Sequence, residues 1–123
     1  MILVDTSVWI DHLRADDPGL RELLEAGDVV VHPFVVGEIA LGALRRRGAV
    51  LANLKDLPRS VVAEDDEVMA LIERESLFGH GIGWVDAHLL AAARLTAETL
   101  LWTRDVRLAA VARRLSLGWQ LPN

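Results

Sequence analysis

The chain contains no cysteine among its 123 residues. That excludes disulfide staples and thiolate metal sites, and it fits a reducing compartment. No apolar run approaches the roughly 20 residues that span a bilayer. The opening, Met1-Ile2-Leu3-Val4-Asp5, has neither the basic region nor the long apolar stretch of a secretory signal. The expectation is a cytoplasmic protein with no membrane contact. An excess of basic residues is missing too. There are 18 acidic residues against 13 basic ones, for a formal charge of -5, whereas a non-specific nucleic-acid binder is usually basic. This counts against a pure binding module. It counts less against a nuclease, whose active site must be acidic to hold cations and whose local basic patches can still guide a phosphate backbone. No repeat, linker or low-complexity tail interrupts the sequence. With a hydrophobic fraction of 52%, one domain over residues 1–123 is expected.

What is present alternates in character. Ile2-Leu3-Val4 reads as a buried strand. Thr6 and Ser7 are suitable caps for a helix running to about Leu13, and Asp17-Pro18 starts another that stops near Gly27. Val29-Val30-Val31 is the next strand. Pro33 opens a helix expected to run to about Arg46 and to end at Gly48, and residues 49–57 form a further short helix halted by Pro58. Residues 60–63 suggest a brief strand. The acidic run from Glu64 to Glu67 begins a helix ending near Phe78-Gly79. A glycine-rich loop at 79–83 precedes a long alanine- and leucine-rich helix from Trp84 to about Leu95. Residues 99–102 form a strand, 106–115 a helix, and 119–121 a last short strand. Short apolar strands alternating with helices predict a mostly parallel sheet covered on both faces, an α/β/α sandwich. Such sheets carry their sites beyond the carboxyl ends of the strands.

Four acids fall where that rule points. Asp5 follows the first strand, and Asp105 lies a few residues past the strand ending at Trp102. Glu38 is in the first half of the helix after the second strand, and Asp86 is in the first turn of the long helix. Right-handed crossovers bring all four regions to one sheet edge. Converging carboxylates repel, and a divalent cation resolves the repulsion. Oxygen-only ligands suit Mg²⁺ or Mn²⁺ better than Zn²⁺. The expected chemistry is in-line attack of a metal-activated water on a phosphodiester. Each acid also has a plainer role open to it. Asp5 and Asp105 can cap helices, Asp86 can favour a helix dipole, and Glu38 can be a solvated helix residue.

Thr6, Ser7 and Thr103 supply hydroxyls that can orient the carboxylates, although Ser7 suits a cap equally well. Arg104 is a candidate RNA phosphate contact. Arg45-Arg46-Arg47 and Arg113-Arg114 are explained in large part as cations at helix C-termini. The spacing of His12, His32, His80 and His88 matches no common zinc motif. Of the tryptophans, Trp9 and Trp84 are candidates for stacking on RNA bases, with core packing as the default for all four. The abundance of apolar residues favours a dimer or a protein partner.

These segments together resemble the PIN-domain family. Ile2-Leu3-Val4-Asp5-Thr6-Ser7-Val8-Trp9-Ile10 is similar to its opening, Val35-Val36-Gly37-Glu38-Ile39 to its second acidic motif, Trp84-Val85-Asp86-Ala87-His88-Leu89-Leu90-Ala91-Ala92-Ala93 to its third, and Leu101-Trp102-Thr103-Arg104-Asp105 to its fourth. Order, spacing and size match the VapC toxins. The resemblance implies a three-layer α/β/α fold and a Mg²⁺- or Mn²⁺-dependent endoribonuclease acting on structured RNA, often transfer or ribosomal RNA. It implies Asp5, Glu38, Asp86 and Asp105 as the metal-binding and catalytic quartet, with Thr6 or Ser7 and Thr103 in support. It also implies a homodimer and a VapB-type antitoxin that inhibits the enzyme.

Other classes fit less well. A haloacid-dehalogenase phosphatase needs a second aspartate two positions after the first, and here Ser7 stands there. A receiver domain needs a lysine after a late strand, and the only lysine is Lys55. A noncatalytic RNA-binding or scaffold protein remains the alternative.

Overall fold

The computed structural model describes residues 1–122. Its elements run β1 (Ile2–Val4), α1 (Thr6–Ala15), α2 (Pro18–Glu25), β2 (Val29–Val30), α3 (Pro33–Ala40), α4 (Arg47–Lys55), α5 (Asp65–Arg74), α6 (Trp84–Leu95), β3 (Leu100–Trp102) and α7 (Val106–Arg114). The strands form a parallel sheet in the order β2-β1-β3. All three residues of β1 are buried, as expected for a central strand covered on both faces. Leu3 pairs with Val30 on one side and Leu101 on the other. The core gathers these strands with Val8, Leu20, Val35, Ile39, Val68, Leu71 and Leu108. In α6 every residue from Ala87 to Ala93 is buried. A helix apolar all round its circumference belongs inside, not on a surface. This is the expected α/β/α sandwich.

The two predicted outer strands are instead single parallel bridges. Val31 bridges Arg59, and Leu101 bridges Gly118. Beyond Ser60 the ladder stops because the Val61 amide donates to Thr96 Oγ1 at 2.9 Å. Beyond Trp119 the chain turns so that Leu121 packs over Gly19, where a β-carbon would not fit.

The helix expected over residues 33–46 is shorter. It closes at Ala40, whose carbonyl accepts from Arg47 Nε at 3.0 Å. Arg46 then adopts a left-handed conformation, φ 52°, and starts α4. Gly48, expected as a stop, lies in the first turn of α4. Likewise α5 ends at Arg74, ahead of Phe78, because Ser76 turns left-handed at φ 52° and the Leu77 amide folds back onto the Ile72 carbonyl. Serine at such a position gives no glycine signal in the sequence.

Candidate active site

The β1 ladder delivers Asp5 directly. Its amide continues the pairing onto the Trp102 carbonyl at 2.9 Å, and the residue is only 7% exposed. It holds the N-cap position of α1 but accepts no capping hydrogen bond there. Its Oδ2 is taken by two hydroxyls, Ser7 Oγ at 2.8 Å and Thr103 Oγ1 at 2.7 Å. Each hydroxyl in turn accepts a backbone amide: Arg104 N donates to Ser7 Oγ at 3.0 Å, and Asp105 N donates to Thr103 Oγ1 at 3.1 Å. The loop after β3 is thus tied to the loop after β1 through the carboxylate itself. Ser7 spends its hydroxyl here and caps nothing.

Glu38 is exposed on α3, at the edge of the face that buries Val35 and Ile39. Thr6 Oγ1 donates to its Oε1 at 2.8 Å. Asp86 lies in the first turn of α6, half-buried, and its Oδ2 accepts from the Gly83 amide at 3.0 Å. Asp105 caps α7, accepting the Leu108 amide on Oδ1 at 3.0 Å. Within the described residues, one oxygen of each carboxylate is hydrogen-bonded and the other is left without a partner.

Asp86 senses the other three acids. Burial pushes the Asp86 carboxyl above the ordinary carboxylate value. The Gly83 amide opposes that, and the charges of Asp5, Asp105 and Glu38 add to it. Among the described residues no three acids or histidines are already closed into an ion cage. The other three acids lie near enough to act on the Asp86 charge, and a ring of oxygen donors alone suits an ion that keeps several of its waters, such as Mg²⁺, better than one that takes a closed tetrahedron of nitrogen and sulfur. With only oxygen donors, hydroxyls steering the carboxylates and a free oxygen on each acid, the residues present fit such an ion.

Arg104 is not the free cation the sequence suggested. Its Nη1 donates to Asp11 Oδ2 at 2.7 Å, its Nη2 is paired with Asp17, and its guanidinium lies 5.4 Å from the centre of the Trp102 ring. Arg104 holds the Asp17 carboxyl below its usual value, partly against burial. Asp11 and Asp17 are the residues the sequence reading missed. Asp17 was assigned only as a cap, a role it also fills by accepting the Leu20 amide, and no spacing rule links either acid to position 104. Trp84 is 43% exposed at the head of α6, whereas Trp9 is buried at 4% and offers no face for stacking. A cavity of about 370 Å³ lies among Val31, Pro33, Val36 and Leu54 and is lined by none of the four acids. Glu38 and Asp105 are exposed and Asp86 is half-buried, so the acidic ring can be approached from solvent.

A parallel three-stranded sandwich with acids gathered past β1 and β3 defines a class, and the comparison with known families agrees. The PIN domain family matches residues 2–114, and the chain belongs to that family. Within it the similarity is to the VapC type. Ribonuclease VapC32 of Mycobacterium tuberculosis is 50% identical over 110 residues, covering 89% of each chain, in both strain CDC 1551 / Oshkosh and strain H37Rv.

Proposed function

We propose that this chain is a divalent-metal-dependent endoribonuclease, one domain over residues 1–123, that hydrolyses phosphodiester bonds in structured RNA such as transfer or ribosomal RNA. The observation that carries the reading is the clamped Asp5, whose Oδ2 is held by Ser7 and Thr103 while Asp86 feels the charge of Asp5, Glu38 and Asp105. Separated groups fixed around one point are what a phosphoryl-transfer site requires. Asp5, Glu38, Asp86 and Asp105 would hold Mg²⁺ or Mn²⁺. Such an ion supplies positive charge for the phosphoryl oxygens and eases deprotonation of a water. The protein's own part is positional. Thr103 and Ser7 fix Asp5, Thr6 fixes Glu38, and the Gly83 amide fixes Asp86.

The proposed biological role is that of a growth-inhibiting toxin neutralised by a VapB-type antitoxin, the pairing that the VapC name of the relatives implies. Two apolar cavities that share Leu54, one along Val31 and Pro33 and the other along Trp9 and Leu13, offer a partner an apolar seat. A homodimer is part of the same proposal, and the exposed Met69 and Leu95 on α5 and α6 leave apolar surface for it. Among the described residues no helix is long and apolar enough to cross a membrane.

The test is cleavage of total cellular RNA by the purified chain with Mg²⁺, with Mn²⁺ and with chelator, alongside Asp5→Asn. A discrete fragment that needs metal and is lost in Asp5→Asn is expected. Folded wild-type protein that cleaves nothing with either metal would overturn the proposal in favour of a noncatalytic RNA-binding or scaffold role.

A further inference from the structure

We infer that Arg107, Trp84 and Phe78 form a substrate subsite beside the acidic ring, in which Arg107 meets an RNA phosphate and the two aromatic rings receive an unpaired base. This rests on the reading of the chain as a protein that acts on RNA.

The cation comes first. Arg104, the arginine nearest the acids in sequence, is neutralised by Asp11 and Asp17. Arg107 takes part in no ion pair among the described residues. It is exposed in the first turn of α7, directly after Asp105 and Val106. Its side chain lies flat over Gly81. A β-carbon built on Gly81 would stand 2.7 Å from Arg107 Cδ and 2.8 Å from Nη1, and Gly81 has φ +75°. Glycine is the residue that allows both this backbone and this approach. The guanidinium therefore bridges from the helix capped by Asp105 to the loop that donates the Gly83 amide to Asp86. It is a positive charge on the helix that Asp105 caps, beside the loop that holds Asp86, and it can attract a phosphate approaching the acids.

The apolar half adjoins it on the same loop. A cavity of about 250 Å³ is lined by Ile72, Leu77, Phe78, Ile82, Gly83, Trp84 and Ala87. It is smaller than the roughly 300–1,000 Å³ of drug-sized ligand pockets, which suits one flat ring. Phe78 is 64% exposed and Trp84 43%. Trp84 is held edge-on by the buried His88 ring, with centroids 4.7 Å apart, so it is ordered before a base arrives. Gly83 lines this cavity and its amide also donates to Asp86, so one residue joins the wall of the cavity to the acidic ring. Phosphate contact by arginine combined with base stacking on aromatics is the usual chemistry of single-stranded RNA recognition.

The test measures binding of the full chain to unfractionated transfer RNA and to a mixed-sequence single-stranded RNA, in chelator so that no cleavage intervenes. Arg107→Gln is expected to weaken binding to both RNAs alike and to lower the salt dependence by about one unit of log–log slope. Arg107→Lys keeps most of that slope, and Arg104→Gln leaves it unchanged. Trp84→Ala is expected to weaken binding roughly five- to hundredfold, with Trp84→Phe restoring most of it. Trp9 and Trp102 are buried and the half-buried Trp119 packs against Trp102; RNA should quench the Trp84 emission, and the loss of that quench in Trp84→Phe separates it from any change at Trp119. Unchanged affinity and slope in Arg107→Gln and Trp84→Ala overturn the subsite while leaving a cleaving wild type a nuclease. If Trp84→Ala disrupts self-association and spares RNA affinity, the patch covers a second copy and the subsite also falls. A wild type that binds RNA with these signatures but never cleaves it retains the subsite and loses the proposed enzyme. No RNA binding at all removes both.

Discussion

Thr103→Val exchanges a hydroxyl for a methyl of nearly the same shape at a buried position. The 2.7 Å donation to Asp5 Oδ2 and the 3.1 Å acceptance from Asp105 N disappear, and with them the 3.4 Å contact to Ser7 Oγ, which adds little because both hydroxyl hydrogens already point at Asp5. The first is charge-assisted and nearly buried, a type worth about 1.5–3 kcal/mol. The second frees a backbone amide at an exposed residue, where water replaces most of what is lost. Ser7 still donates to the same Oδ2, so Asp5 is not stranded and the low end of the range applies. The expected cost is about 2 kcal/mol, or roughly 8 °C in Tm for a chain of this size. Ser7→Ala should cost a similar amount by the same reasoning. The double variant leaves Oδ2 of a buried carboxylate with no donor, so it should cost about 1–2 kcal/mol more than the sum of the singles. Urea unfolding in chelator measures all three, and Mn²⁺ titration followed by electron paramagnetic resonance should show about 10- to 100-fold weaker binding in each single variant. A Thr103→Val cost under about 0.5 kcal/mol, or singles that simply add, would refute the claim that these hydroxyls hold Asp5 jointly.

Asp86→Asn should abolish cleavage yet raise the metal-free stability at pH 7. The folded protein disfavours the ionised carboxyl, chiefly by burial and then by the other three acids; equal or lower stability by urea unfolding would count against mutual repulsion. His32 is buried and its pKa is depressed from 6.5 to about 4, first by burial and then by the charges of His88 and Arg59. The unfolded chain therefore takes up a proton that the folded one refuses, and stability should fall on the order of 3 kcal/mol as pH drops from 6.5 to 4. His32→Asn keeps an acceptor for the Phe34 amide and should flatten that fall; parallel pH profiles for the two proteins would rule His32 out as its source. Arg104→Gln should lose about 1 kcal/mol at pH 7, as should Asp17→Asn. Asp17 titrates below its usual range, so its share is present above pH 3.8 and disappears as pH falls through the lower folded value. A stability difference that persists undiminished in strong acid would argue against the ion pair.

The alternation of elements and the positions of the four acids were legible because they follow from short-range rules. Ile2–Val4 is too short and apolar for anything but a buried strand, and an acid immediately after it must face the carboxyl edge. Asp17-Pro18 marked α2 because a cap and a first-turn proline act on their own neighbours. Helix ends failed where left-handed turns use Arg46 and Ser76 in place of glycine, since tertiary contacts such as Arg47 on the Ala40 carbonyl decide them. The outer strands failed for a similar reason. Whether residues 60–63 pair depends on Thr96, far along the chain, taking the Val61 amide. At the site, residue type revealed the acids and their hydroxyls, but the pairing of Arg104 with Asp11 and Asp17 spans 93 and 87 positions and leaves no local trace.

The geometry also explains how four acids can be held near one another in a metal-free chain of net charge -5. Three of them sit at helix starts: Asp5 at the N-cap position of α1, Asp86 in the first turn of α6 and Asp105 at the N-cap of α7. Each helix presents about half a positive charge at that end, so each of these three carboxylates has a partial counter-charge built into the backbone. The fourth, Glu38, lies inside α3 without that help and is exposed, held by the single Thr6 hydroxyl. The ordering follows the cost of desolvation. The most buried acid, Asp5, has two hydroxyl donors, the half-buried Asp86 has one amide donor and a raised pKa, and the exposed acids need less. Burial first, and then the like charges of the other three acids, act against the ionised Asp86. Neutralising that residue should relieve the fold most, and filling the ring with a cation should stabilise the protein by relieving the same repulsion.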